Sequence, residues 1–171
     1  MKLTTWLFSL TALVSSGATG KELAIPAPYV LDAREENGCR YMHHPRKNVG
    51  AEVCLQNLSL EVAATQFGMF EQAGGKWILS GAGIPNFAKQ KKIRQVSYLY
   101  GESFCAIEDM AGSHGAGAKC FFGIASRGES TFIFRSKPVK LDAWNVFEKQ
   151  TLATMFFSTA KLNFGKTDLL K

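Results

Sequence analysis

Four cysteines, Cys39, Cys54, Cys105 and Cys120, constrain this chain more than any other feature. They fall in two pairs, and each pair encloses fourteen residues. Whether such cysteines couple depends on the compartment, and the N-terminus speaks to that. Residues 1–20 have the layout of a secretory signal: Lys2, then an apolar stretch through Val14, then the small residues Ser15, Ser16, Gly17 and Ala18. Ser16 with Ala18 fits the small-residue requirement of signal peptidase, and Ala18 with Gly20 is the second choice. The expected mature chain, residues 21–171, is a single domain in an oxidising compartment, where an even cysteine set is read as disulfides.

Four cysteines permit three pairings. The stretch between Cys39 and Cys54 holds His-His-Pro-Arg-Lys-Asn-Val-Gly, and that between Cys105 and Cys120 holds Ala-Gly-Ser-His-Gly-Ala-Gly. Both are turn-like, which favours the local pairings Cys39–Cys54 and Cys105–Cys120 over the crossed ones. Cys-x-x-Cys spacing is absent, which argues against zinc. Asn57-Leu58-Ser59 is a glycosylation acceptor triplet, which in an exported chain places Asn57 on the surface.

Apolar residues make up 46% of the chain and charged residues 20%, enough to bury a core and too apolar for disorder. Beyond the N-terminus no apolar run approaches the ~20 residues of a membrane-spanning helix, so no span is expected. Short aromatic and β-branched runs between glycines predict strands over 28–31, 76–80, 95–100, 103–107, 120–124 and 131–135, with a closing strand over 160–164. A turn is expected within 32–37. Residues 120–135, folded about Arg127-Gly128-Glu129-Ser130, make the best hairpin. Periodicity predicts helices over 60–72, capped by Ser59, and over 142–152, capped by Asp142. The expected fold is mainly β, an antiparallel sandwich or barrel with one or two helices, with an α+β arrangement as the alternative.

Catalytic patterning is sparse. There is no Gly-x-Ser-x-Gly elbow, no leftover cysteine, and no Gly-Lys-Ser/Thr ending on a glycine-rich loop. Adjacent His43 and His44 point to opposite faces of a strand and cannot share a metal as an i,i+4 pair can, so neither metal nor cofactor is expected. A small ribonuclease-like hydrolase needs two groups trading protons and a cation for phosphate. His43 or His44, His114, Glu102 or Glu108, and Arg94 or Arg127 are the residue types available, with His43, His114 and Glu108 the leading set.

The dense charge feature is Lys89-Gln90-Lys91-Lys92-Ile93-Arg94, expected to be a loop running into the strand at Gln95. Three readings compete for it: a solvated loop, a contact for an anionic polymer, and a processing site at Lys91-Lys92. Phe121, Phe122, Phe132 and Phe134 read as core rather than as a stacking platform.

The whole format resembles the small secreted effectors and elicitors of plant-associated filamentous fungi: signal peptide, one modest domain, even cysteines, no enzyme motif. Ser103-Phe104-Cys105 through Cys120 to Arg135 is also similar to the first disulfide hairpin of the Alternaria major-allergen β-barrel family. That likeness covers cysteine spacing and aromatic flanks only; Cys39 and Cys54 have no counterpart there, and no functional residue carries over. The resemblance implies a non-enzymatic secreted protein that binds a host protein or an acidic polymer, not DNA; the contact expected for it comes from the charge cluster alone, Lys89, Lys91, Lys92 and Arg94. A hydrolase and a cell-wall structural protein are the alternatives.

Overall fold

A run buried on both faces reads as continuous apolar sequence, whereas a run buried on one face alternates. Both patterns occur in the computed structural model, which describes residues 22–80, 86–105 and 117–165. Ten strands and two helices follow in the order β1 (Val30–Glu36), β2 (Cys39–His43), β3 (Gly50–Asn57), α1 (Leu60–Gln66), β4 (Phe70–Ala73), β5 (Lys76–Leu79), β6 (Lys89–Ile93), β7 (Val96–Cys105), β8 (Ala118–Arg127), β9 (Ser130–Ser136), β10 (Val139–Lys140) and α2 (Val146–Phe164). One antiparallel sheet has the order β1-β2-β3-β9-β8-β7-β6, with β10 against β8, and β4 pairs with β5 as a separate hairpin. The protein is mainly antiparallel β with two helices. Strands β1 and β6 are the two ends of the sheet path, which is not closed into a barrel among the described residues.

The sheet carries a core on each face. On one side α2 lays Leu152, Met155, Phe156, Ala160 and Phe164 across Met42, Val53, Tyr98, Phe121, Phe132 and Phe134. On the other, α1 and the β4–β5 hairpin cover Leu99, Ile124, Ile133 and the Cys39–Cys54 bridge with Ala63, Ala64, Phe70, Trp77 and Leu79. Central strand β9 is therefore buried on both sides, Thr131 through Phe134 without a break.

Both disulfides are the local pairs, Cys39–Cys54 and Cys105–Cys120. Cys39 and Cys54 face each other directly across β2 and β3, with Cα atoms 4.2 Å apart. Cys105 and Cys120 join β7 to β8 diagonally, since Cys120 lies opposite Ser103 in the register. Two such bridges mark a chain that folds in an oxidising environment.

Five expectations are corrected. The helix over 60–72 stops at Gln66, because Gly68 adopts the left-handed region at φ 62°. The chain then turns back through Gly74 and Gly75 at φ 57° and 76°, so 70–79 becomes a hairpin with the two-residue turn that needs positive φ twice. The turn within 32–37 is confined to Asn37-Gly38, and β1 runs through Glu36. Helix α2 begins at Val146 and is capped by Asn145, whose side-chain oxygen accepts from the Phe147 and Glu148 amides, rather than by Asp142. It runs on to Phe164, so 160–164 is its last turns and not a closing strand. Burial at 152, 155, 156, 159, 160 and 164 is one helical stripe that short windows cut in two. The fifth correction, at residues 89–94, concerns the site below.

Gly123 shows how closely α2 approaches the sheet. A Cβ at this position would lie 2.6 Å from the Phe156 ring. Gly123→Ala is expected to cost about 1–3 kcal/mol by overpacking, read as a lower urea midpoint at unchanged m-value.

Candidate functional site

The basic run is an edge strand, not a loop. Lys89 to Ile93 pair antiparallel with Tyr100 to Val96 as β6, and all five residues are exposed. A two-residue turn, Arg94-Gln95, links β6 to β7, with Arg94 in the left-handed region at φ 54°.

Strand geometry divides the cations. Successive side chains leave opposite faces, so Lys89, Lys91 and Ile93 share the face of Tyr98, Tyr100 and α2, while Gln90 and Lys92 share the face of Leu99 and α1. Each face opens into a groove. On the α1 side a groove of about 870 Å³ is bordered by Lys92, Arg94, Gln90, Ser97, Trp77 and Glu61. On the α2 side a second groove, about 540 Å³, lies between the β6–β7 hairpin and the end of α2. Arg127 braces this corner: its guanidinium donates to the Phe164 carbonyl at 3.0 Å and to Gln95 Oε1 at 2.8 Å. A helix C-terminus leaves carbonyls without intrahelical partners, and a cation there also offsets the negative end of the dipole.

The residues considered for hydrolysis do not converge. His43, on β2, holds Asp32 Oδ1 at 3.2 Å and stacks on Tyr41. His44 Nδ1 accepts from the Arg46 amide at 3.0 Å, closing a turn. Glu102, on β7, stands between Lys149 at 3.1 Å and Lys119 at 4.0 Å. Four strand steps separate β2 from β7, about 19 Å at the usual spacing. His114 and Glu108 lie outside the described residues. Among the described residues no three His, Cys, Asp or Glu side chains are grouped as metal ligands, and no helix is long and apolar enough to cross a membrane. Asn57 is exposed at the end of β3, opposite Ser130. Ser59, the third residue of its triplet, caps α1 by accepting from the Val62 amide at 3.3 Å.

Trp77, Tyr98, Tyr100, Phe157 and Lys161 border the grooves but do not stand out in the sequence as site residues. Tyr98 and Tyr100 do alternate in step with the lysines opposite. Lys161 is hidden by the expectation of a strand over 160–164. No protein-family model matches the chain, and no curated protein matches it.

Proposed function

We propose that this chain is a secreted, non-enzymatic binding protein, an effector or elicitor of a plant-associated fungus, that engages an acidic host polymer along its basic edge. The observation that carries the reading is the strand geometry of residues 89–94. It places Lys89, Lys91 and Lys92 on one edge strand with Arg94 in the turn that follows. Lys92 and Arg94 border the α1-side groove of about 870 Å³ together with hydroxyls, an amide, the Trp77 ring and one carboxylate, Glu61. Clustered cations concentrate anions without a closed pocket, and a prearranged strand loses less freedom on binding than a loop. Export through residues 1–20 and glycosylation at Asn57 belong to the same reading, supported by the paired cysteines and by the exposure of Asn57.

Polygalacturonate is the probe. Replacing Lys89, Lys91, Lys92 and Arg94 together by glutamate is expected to lower its affinity at least tenfold while the melting temperature moves by less than about 4 °C, the scale of 1 kcal/mol or less. Salt dependence separates two geometries: two contacts on one face give a log–log slope of roughly −1.5, and all four along the edge roughly −3. Unchanged affinity in the fourfold variant would remove the site assignment. Binding to an acidic host protein but not to the polymer would replace the partner.

A further inference from the structure

The α2-side groove differs in kind from the polar one across the strand. Val96 and Tyr98 of β7 and Phe164 of α2, each at most 7% exposed, form its floor. Tyr100, Phe157 and Ile93 form its walls, Ile93 being 42% exposed. Its lining also includes Lys91, Lys161, Arg94 and Arg127, and among the described residues no acidic side chain. Arg127 is already engaged with the helix end and contributes its field. Lys91 and Lys161 have no acidic partner among the described residues. The phenol groups of Tyr98 and Tyr100 have no hydrogen-bond partner among the described residues either. Burial pushes the Tyr98 phenol up, so it stays a neutral donor at physiological pH.

Neither a polymer nor a neutral oil uses all of this. A chain of carboxylates would leave the aromatic floor facing polar groups, whereas a neutral hydrocarbon would leave both ammonium groups unused. An apolar body carrying a single anionic head satisfies floor and rim together. The volume, about 540 Å³, lies in the range of small-molecule sites, roughly 300–1,000 Å³. The geometry points to a binding site for a single-chain carboxylate amphiphile of fatty-acid type, its tail on Val96, Tyr98, Phe157 and Phe164 and its head between Lys91 and Lys161. The site goes beyond the polymer-binding edge and takes a different ligand on the opposite face of the same strand.

The test uses the intact oxidised chain and displacement of dansyl-undecanoic acid by sodium decanoate and laurate, both below micelle formation. Saturable 1:1 displacement is expected, with affinity rising about fourfold per added methylene until the groove is filled. Dodecanol, which has no charge, should bind at least tenfold more weakly than laurate. Lys91→Glu with Lys161→Glu should weaken laurate at least tenfold, and Ile93→Asp should do the same through the wall; Lys140→Glu, on β10, controls for net charge. Absence of displacement by the wild-type chain would overturn the site. So would equal affinity for dodecanol and laurate, or laurate affinity unmoved by Lys91→Glu with Lys161→Glu. If the cations served only the helix end, Lys161→Glu would lower the melting temperature and leave laurate binding intact, which also overturns it. Displacement of the dansyl probe by polygalacturonate would put both ligands in one groove and sink the inference, whereas laurate binding without any polymer binding would sink only the polymer reading.

Discussion

Phe156→Ala should destabilise the protein by about 3–5 kcal/mol, the largest effect expected of any single substitution here. The ring is fully buried at the crossing of α2 over the sheet. Its centroid lies 4.9 Å from Phe157, 5.8 Å from Phe121 and Phe134, 6.0 Å from Phe132, 6.1 Å from Tyr98 and 6.2 Å from Tyr100. Those rings come from β7, β8, β9 and the helix itself, so truncation loosens four elements at once. Strand rigidity on one side limits collapse of the space left behind, which is the condition for a large cavity penalty. Urea denaturation measures the loss, and a value under about 1 kcal/mol would mean that α2 is not anchored here. A cycle with Gly123→Ala sharpens the result. Alone, that methyl group clashes with Phe156; in the Phe156→Ala background it fills vacated space. The two changes should therefore couple favourably by about 1–3 kcal/mol instead of adding.

Removing the Cys39–Cys54 bridge by paired alanine substitution should cost about 3 kcal/mol from loop-closure entropy alone. The Cys105–Cys120 bridge has the same sequence separation, 15, and the entropic term is accordingly equal. Their surroundings differ. Cys39 and Cys54 are 6% and 2% exposed and belong to the core beneath α1 and the β4–β5 hairpin, so alanine there also removes buried sulfur. Cys120 is buried as well, but Cys105 is half-exposed at the end of β7. The first pair should be the costlier by about 1 kcal/mol of lost packing. Unfolding curves of the two double variants make the comparison, and equal losses would mean that packing around the first bridge contributes nothing.

Particular residues explain what could be read from the sequence and what could not. Local pairing of the cysteines follows from the turn-rich stretches they enclose, and the β8–β9 hairpin from aromatic alternation around Arg127-Gly128-Glu129-Ser130. Both signals are short-range. β2 and β3 gave no comparable signal, because Cys-Arg-Tyr-Met-His mixes charge into a strand whose outer face is polar. The end of α2 failed for another reason: Ala160-Lys161-Leu162-Asn163-Phe164 alternates as well as it spirals, and only contact with Met42, Tyr98 and Phe134 selects the helix. The basic run is legible as charge and illegible as structure. A wholly exposed edge strand has no buried face to alternate against, so Lys89 to Ile93 look like a loop until Tyr98 and Tyr100 pair with them.

That the lysines sit on a terminal strand has a consequence for the protein's solution state. Among the described residues no strand pairs with the outer side of β6, where a row of amides and carbonyls is a template for another chain, and closely spaced ammonium groups make such docking of identical copies repulsive. Neutralising them, by acetylation or by a saturating polyanion, removes that repulsion. Linear fibres or higher oligomers growing through β6 are then the expected failure mode, and light scattering across a polyanion titration would report their onset.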